Sequence, residues 1–268
     1  MAVGKNAHHH YQKDFSMKLP GRTCIVTGGA SGIGRAAALA LAAEGAQVTV
    51  SDLNRRGGEE TVAMIAEKGG TAIFVECNVA VEDDARQLIQ STVDEYGKVD
   101  VLFNNAGINP MEGSVVDVSL EDWRRVFAVN VDGIFFCSRF AIPEMRKAGG
   151  GRIINTASPA SFKGWPGNSA YIASKGAVMS LTRSMAMDFA KENIHVNALV
   201  PGLILTGIGR DFLAAQPDSE AAAAGNPVGR AGDPGEVAPV VVYLAQEDCS
   251  FSTGAPFYVD GGELSGSA

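Results

Sequence analysis

A doubly wound α/β fold, with helices on both faces of a mostly parallel, seven-stranded sheet, is the class this sequence predicts. Three observations lead there. Short apolar runs alternate with helix-length patterns along almost the whole chain. Val, Ile, Leu and Phe fill those runs nearly continuously, as strands buried on both faces require; a half-solvated sheet would alternate apolar with polar residues. No linker, repeat or low-complexity block divides the 268 residues, and the 46% apolar content supplies one large core. Uninterrupted strand–helix alternation implies parallel strands joined by crossover helices.

After Leu19-Pro20-Gly21, strands are expected at RTCIVT (22–27), QVTVSD (47–52), TAIFVE (71–76), VDVLFN (99–104), GRIINTA (151–157), HVNALV (195–200) and APFYVD (255–260). Helical patterns lie between them near 33–44, 56–68, 82–96, 119–147, 169–192 and 234–246. Ser119-Leu120-Glu121-Asp122 carries a helix N-cap with an acidic partner in the first turn. Pro143 lacks an N–H and crowds the preceding turn, so a kink or an end is expected near it. From Leu203 to Pro234 the chain is rich in Ala, Gly and Pro without a firm period, and reads as a long lid or binding loop. Residues 1–17, with the His8-His9-His10 run, read as a polar, disordered tail, leaving 18–268 as a single domain.

With 30 acidic against 22 basic residues, the net charge of −8 argues against a nucleic-acid binder and disfavours an acidic protein partner. No run approaches the roughly 18–20 apolar residues of a membrane span. Cys24, Cys77, Cys137 and Cys249 stand far apart with no C-x-x-C pair, as buried apolar thiols of a reducing compartment do, and no metal site is expected. The chain does not open on a leader-like segment, and a cytoplasmic address is the expectation.

The first strand runs straight into TGGASGIG (Thr27 to Gly34), four glycines in eight residues, with a helix following at about Ile33. Glycine lets backbone turn sharply and approach a ligand without Cβ clashes, and the helix start offers free N–H groups to a phosphate. Asp52 ends the second strand, 24 residues after Gly28, where a carboxylate accepts hydrogen bonds from an adenosine ribose diol. The pair points to a dinucleotide. A carboxylate there repels a 2′-phosphate, which favours NAD(H) over NADP; Arg55 and Arg56 pull the other way.

Tyr171 and Lys175, four apart in SAYIASKGAV, share a helix face. Tyrosine titrates near 10, too high for a base at neutral pH, and a neighbouring cation stabilises the phenolate. Ser158 ends the fifth strand, thirteen residues before Tyr171. Ligands of a parallel sheet sit beyond the carboxyl ends of its strands, so Gly28, Asp52, Asn104 and Ser158 converge on one crevice.

These residues resemble the short-chain dehydrogenases/reductases of the compact, single-domain, Rossmann-type kind. The resemblance runs from Lys18 to about Gly262 through TGGASGIG, NNAG (104–107), VNVDG around Asn130, Ser158, Tyr171 to Lys175, and Pro201-Gly202 followed by Thr206. It implies Tyr171 as general acid/base, Lys175 as ligand of the nicotinamide ribose that depresses the tyrosine, Ser158 orienting the carbonyl or alcohol, and Asn130 supporting a water-linked proton relay. It implies a cofactor wall from Gly28, Ser31, Gly32, Ile33, Gly34, Asn78, Val79, Asn104, Ala106, Gly107 and Ile204, with Thr206 near the carboxamide. Asn78 departs from the family's usual aspartate, which puts the detail of the adenine contact in question. Family members commonly form homotetramers through the helices at 119–147 and 169–192.

The expected activity is NAD(H)-dependent interconversion of a secondary alcohol and a ketone. Pro159, Phe162, Trp165 and the 203–225 loop are expected to wall a fairly apolar substrate, with no nucleic acid and no membrane involved. A 3-oxoacyl-carrier-protein reductase or a nucleotide-sugar epimerase would share the tyrosine and lysine. A dinucleotide-sensing binding protein that has lost turnover is the non-enzymatic alternative.

Overall fold

The computed structural model describes residues 17–111 and 113–266, so the His8–His10 run and nearly all of the expected tail lie outside the described residues. In chain order the elements are β1 Thr23–Thr27, α1 Gly32–Ala43, β2 Gln47–Asp52, α2 Arg55–Glu67, β3 Thr71–Glu76, α3 Glu82–Tyr96 and β4 Val101–Asn104. They continue through α4 Leu120–Phe127, α5 Gly133–Lys147, β5 Gly151–Thr156, α6 Ser169–Phe189, β6 Ile194–Pro201, α7 Gly207–Ala214, α8 Ser219–Ala223, α9 Pro234–Ala245 and β7 Pro256–Val259. The seven strands pair in parallel in the order β3-β2-β1-β4-β5-β6-β7. The direction in which strands are added to the sheet reverses between β1 and β4, and their carboxyl ends open a crevice there.

Successive strand residues feed opposite faces. Ile25, Leu102 and Ile153 pack with Leu88 of α3, Cys137 of α5 and Val178 of α6. Cys24, Val26, Phe103 and Ile154 pack with Leu41 of α1 and Val241 of α9 on the other side. Every residue of β1, β4 and β6 is buried, whereas β3 and β7, with one neighbour each, are only half covered. All four cysteines are buried and free, and burial pushes Cys24 and Cys77 up to about 12.

Two expectations change. The break in the 119–147 helix falls at Ala128–Asp132, a π-helical turn, and not at Pro143, which α5 passes without ending. Pro143 is exposed, so water can satisfy the carbonyl its missing N–H leaves free. Ser119 does cap α4, its hydroxyl accepting from the Asp122 N–H at 2.9 Å. By length and composition Leu120–Lys147 is apolar enough to cross a membrane, yet α5 packs along α3 and α4 along α6. The 203–234 segment holds α7 and α8, capped by Thr206 and Asp218, where a loop was expected.

Candidate active site

A cavity of about 800 Å³ runs along the carboxyl edge of the sheet. Gly28, Ser31, Gly32, Ile33 and Asp52 line it beside β1 and β2, Ala106 and Gly107 beyond β4, and Ile204 and Thr206 beyond β6. Ser158, Tyr171 and Lys175 line it beyond β5 and at the start of α6. Residues up to 178 positions apart thus share one wall, because each follows the carboxyl end of a parallel strand or begins the helix behind it.

At the glycine turn, Gly28 has φ +67°, and a Cβ there would stand 2.9 Å from Asn105 Nδ2. Asn105 donates to the carbonyls of Thr27 (3.0 Å) and Gly28 (3.3 Å), and Thr27 Oγ1 accepts from the N–H groups of Asn105 and Ala106. Strand β4 therefore holds the turn open. Ser31 at the start of α1 makes no side-chain cap, and the first turn of α1 carries no acidic residue. Its N–H groups, beside Gly32 and Ile33 in the cavity wall, suit a pyrophosphate. Asp52 is aimed by the Ala30 N–H at 3.0 Å on one oxygen and the Asn54 N–H at 2.9 Å on the other. A dinucleotide's phosphates and ribose fit this cradle.

At the other end, Lys175 is buried and donates from Nζ to the Thr156 carbonyl at 2.7 Å. Burial lowers its pKa to about 8. Burial pushes the Tyr171 phenol above its ordinary value, and hydrogen bonding with Ser158 draws it back. The Lys175 ammonium stands 5.6 Å from the centroid of the tyrosine ring. Ser158 Oγ also accepts from the Ala160 N–H at 3.2 Å, which fixes its rotamer.

A family model described as "Enoyl-(Acyl carrier protein) reductase" matches residues 28–263. The chain belongs to the short-chain dehydrogenase/reductase family. Among its relatives, cyclohexanol dehydrogenase of Acinetobacter sp. (strain SE19) is 37% identical over 250 residues, covering 93% of this chain and 98% of the relative. The 3-oxoacyl-[acyl-carrier-protein] reductase FabG of Thermotoga maritima is 37% identical over 246 residues, with 92% and 99% covered. A solved structure from Beutenbergia cavernae, described as an NAD(P)-dependent gluconate 5-dehydrogenase with NADP bound at low occupancy, superposes with a TM-score of 0.88 at 37% identity, covering 94% of this chain and all of that one. The chain is accordingly an oxidoreductase of alcohol and carbonyl groups.

Within this short-chain dehydrogenase/reductase, several expected site residues stand outside the cavity wall: Gly34, Asn78, Val79, Asn104 and Asn130. Asn104 turns its amide into the sheet, donating to Asn155 at 2.9 Å. Gly34 is buried behind the turn, where a Cβ would run into the Gly28 carbonyl. Asn78 caps its own bend, accepting from the Ala80 N–H at 3.1 Å. Val79 packs with Gly133. Asn130, in the π-helical turn, accepts from Ile108 N–H at 2.9 Å and donates to the Ile108 carbonyl and to Ser174 Oγ, each at 3.0 Å. It ties the loop after β4 to α6, which carries Tyr171. On the substrate side Pro159 and Trp165 line the cavity, but Phe162 packs against Tyr258, 5.7 Å between ring centroids. Sequence reasoning missed Thr27, Asn105 and Thr156; the first two sit inside the quoted TGGASGIG and NNAG motifs.

Proposed function

We propose that this protein interconverts a small secondary alcohol and its ketone with NAD(H), using Ser158, Tyr171 and Lys175. The observation that carries this is one continuous cavity with Asp52 at one end and the Ser158–Tyr171–Lys175 group at the other. Bound NAD supplies a hydride acceptor, and NADH a donor, at the nicotinamide ring. In oxidation, Tyr171 as phenolate takes the alcohol proton while Ser158 holds the oxygen; in reduction, the phenol returns it. Positive charge on the ring and on Lys175 opposes the desolvation that holds the phenol up. Asn130 supports the relay by fixing α6, and Thr206, over Gly32, bounds the nicotinamide side.

NAD is favoured because Asp52 is held at the ribose edge while the arginines there are engaged. Arg55 pairs with Glu76 at 2.7 Å and with Glu59 at 3.5 Å, and Arg56 with Glu60 at 3.1 Å. A carrier-protein-dependent reductase, the activity named for the Thermotoga relative, would use the same three residues; the net charge of −8 disfavours its acidic partner. A homotetramer and a cytoplasmic, membrane-free setting complete the proposal. Leu120, Phe135 and Met187, exposed on α4, α5 and α6's terminal turn, suit a second copy.

The test is NADH and NADPH oxidation over cyclic and open-chain ketones, and the reverse with alcohols, beside Tyr171→Phe. Turnover with NADH that falls by about a thousandfold or more in the variant is expected. Turnover surviving in the variant would overturn the tyrosine mechanism, and preference for NADPH would overturn the cofactor assignment.

A further inference from the structure

An ion pair stands in the substrate wall of the cavity. Lys163 Nζ lies 2.9 Å from Glu263 Oε1, and both side chains line the cavity that Ser158 and Tyr171 line. The Glu263 side chain keeps only 16% of its surface exposed, and the Lys163 ammonium stands 5.0 Å from the centroid of the Trp165 ring, another wall residue.

Neither partner hangs on a loose segment. Lys163 closes the short 3-10 turn that begins after Ser158, its N–H donating to the Pro159 carbonyl at 3.1 Å. Ser161 in that turn donates to the Lys175 carbonyl at 2.7 Å, so the turn is locked to α6. Glu263 sits in a turn just past β7, where Asp260 accepts from the N–H groups of Gly262 and Leu264, each at 2.9 Å. Gly261, at φ +63°, accepts from the Val228 N–H, which braces the turn from the 203–234 segment. Two braced turns, 100 positions apart, set this carboxylate in the cavity wall, in addition to Asp52 beside β2.

A carboxylate has room for about four hydrogen bonds. Lys163 meets one oxygen, and no other donor to Glu263 is found among the described side chains. We propose that Glu263, steadied by Lys163, is a subsite for a second hydroxyl of the substrate, so that the preferred substrates are small diols or hydroxyketones rather than simple ring alcohols. The assignment rests on the alcohol–ketone activity proposed above and replaces the fairly apolar substrate that the aromatic residues suggested. A hydroxyl donating to Glu263 replaces the water that the carboxylate loses on substrate binding. A C–H at the same point leaves the oxygen that Lys163 does not meet without a donor, and sites built for a hydroxyl discriminate strongly for that reason.

The experiment compares kcat/KM for 1,2-cyclohexanediol and cyclohexanol with saturating NAD, in the parent, Glu263→Ala, Glu263→Gln and Lys163→Met. The parent should favour the diol by about tenfold or more, the ratio should fall to about one in Glu263→Ala, and Glu263→Gln, which keeps an acceptor, should retain part of it. Lys163→Met, which leaves the carboxylate less firmly placed, should give an intermediate ratio. No diol preference in the parent, or a ratio unchanged in Glu263→Ala, overturns the subsite. Equal losses on both substrates together with a lowered Tm would make the pair a structural clasp, and also overturn it. Turnover of neither alcohol, with no NADH oxidation by any ketone, would instead sink the alcohol–ketone activity, and the subsite with it.

Discussion

Lys175 Nζ donates to the Thr156 carbonyl at 2.7 Å, which ties the second turn of the catalytic helix to the last residue of β5. One residue's side chain on α6 and another's backbone on β5 thereby set the distance between the helix that carries Tyr171 and the strand end that delivers Ser158.

The lysine in that contact is a stability sensor. Its pKa is lowered from 10.5 to about 8, so below pH 8 the folded chain holds a buried charge that the unfolded chain holds in water. The folded state binds fewer protons between those values, and stability from this group rises as pH climbs from 8 to 10.5, by about 3 kcal/mol in all. Lys175→Met, which cannot titrate, should gain over the parent at pH 7 and lose that advantage by pH 10. Urea unfolding of both proteins at the two pH values checks the sign. A difference independent of pH would contradict the buried ammonium.

Replacing Asp52 with serine should relax the cofactor preference. The carboxylate's repulsion of a 2′-phosphate disappears, and kcat/KM with NADP relative to NAD should rise by about tenfold or more. Adding Glu76→Gln, which frees Arg55 from its closest partner, should extend the shift. That second step is expected to be small, because exposed ion pairs contribute at most about 1 kcal/mol. An unchanged ratio in both variants would place selectivity elsewhere.

Gly34→Ala tests how closely α1 approaches the turn. The added methyl would meet the Gly28 carbonyl and Asn105 Nδ2, the latter at 2.7 Å. Backbone cannot step aside as a flexible side chain can, so a loss of about 2 kcal/mol or more in unfolding free energy is expected, with weakened NADH binding by fluorescence titration. Parent-like stability and affinity would show that the turn has slack.

Asn130→Ala removes one acceptor contact and two donor contacts that bridge the loop after β4 to α6. Leaving the Ile108 N–H and carbonyl unpaired should cost about 2 kcal/mol, and kcat should fall more than KM rises if the bridge positions Tyr171. Equal changes in both constants would limit Asn130 to a structural bond.

Much of this was legible along the chain. Six of the seven strands lie within the apolar runs and β6 overruns its run by one residue at each end, because a strand covered on both faces must be largely apolar, and that pattern is local. The break near residue 130 was not legible: a π-helical turn has no composition of its own, while Pro143 advertises a break that its exposed position makes unnecessary. Helices α7 and α8, of eight and five residues, are too short to show a period, although their caps Thr206 and Asp218 stand in plain view.

At the site, the crevice could be placed from strand ends alone, but not the faces. NNAG offers two adjacent asparagines, and successive strand residues point to opposite sides. Only packing shows that Asn104 turns inward to Asn155 and that Asn105 braces the glycine turn. The chain by itself determined the fold class, the family, and the chemical groups that gather beyond the sheet, since periodicity, glycine spacing and residue type are written within short windows. The tertiary structure alone decided that burial holds the Tyr171 phenol up while Ser158 draws it back, and that Lys163 meets Glu263. Desolvation and contacts between distant segments arise only when the strands and helices pack.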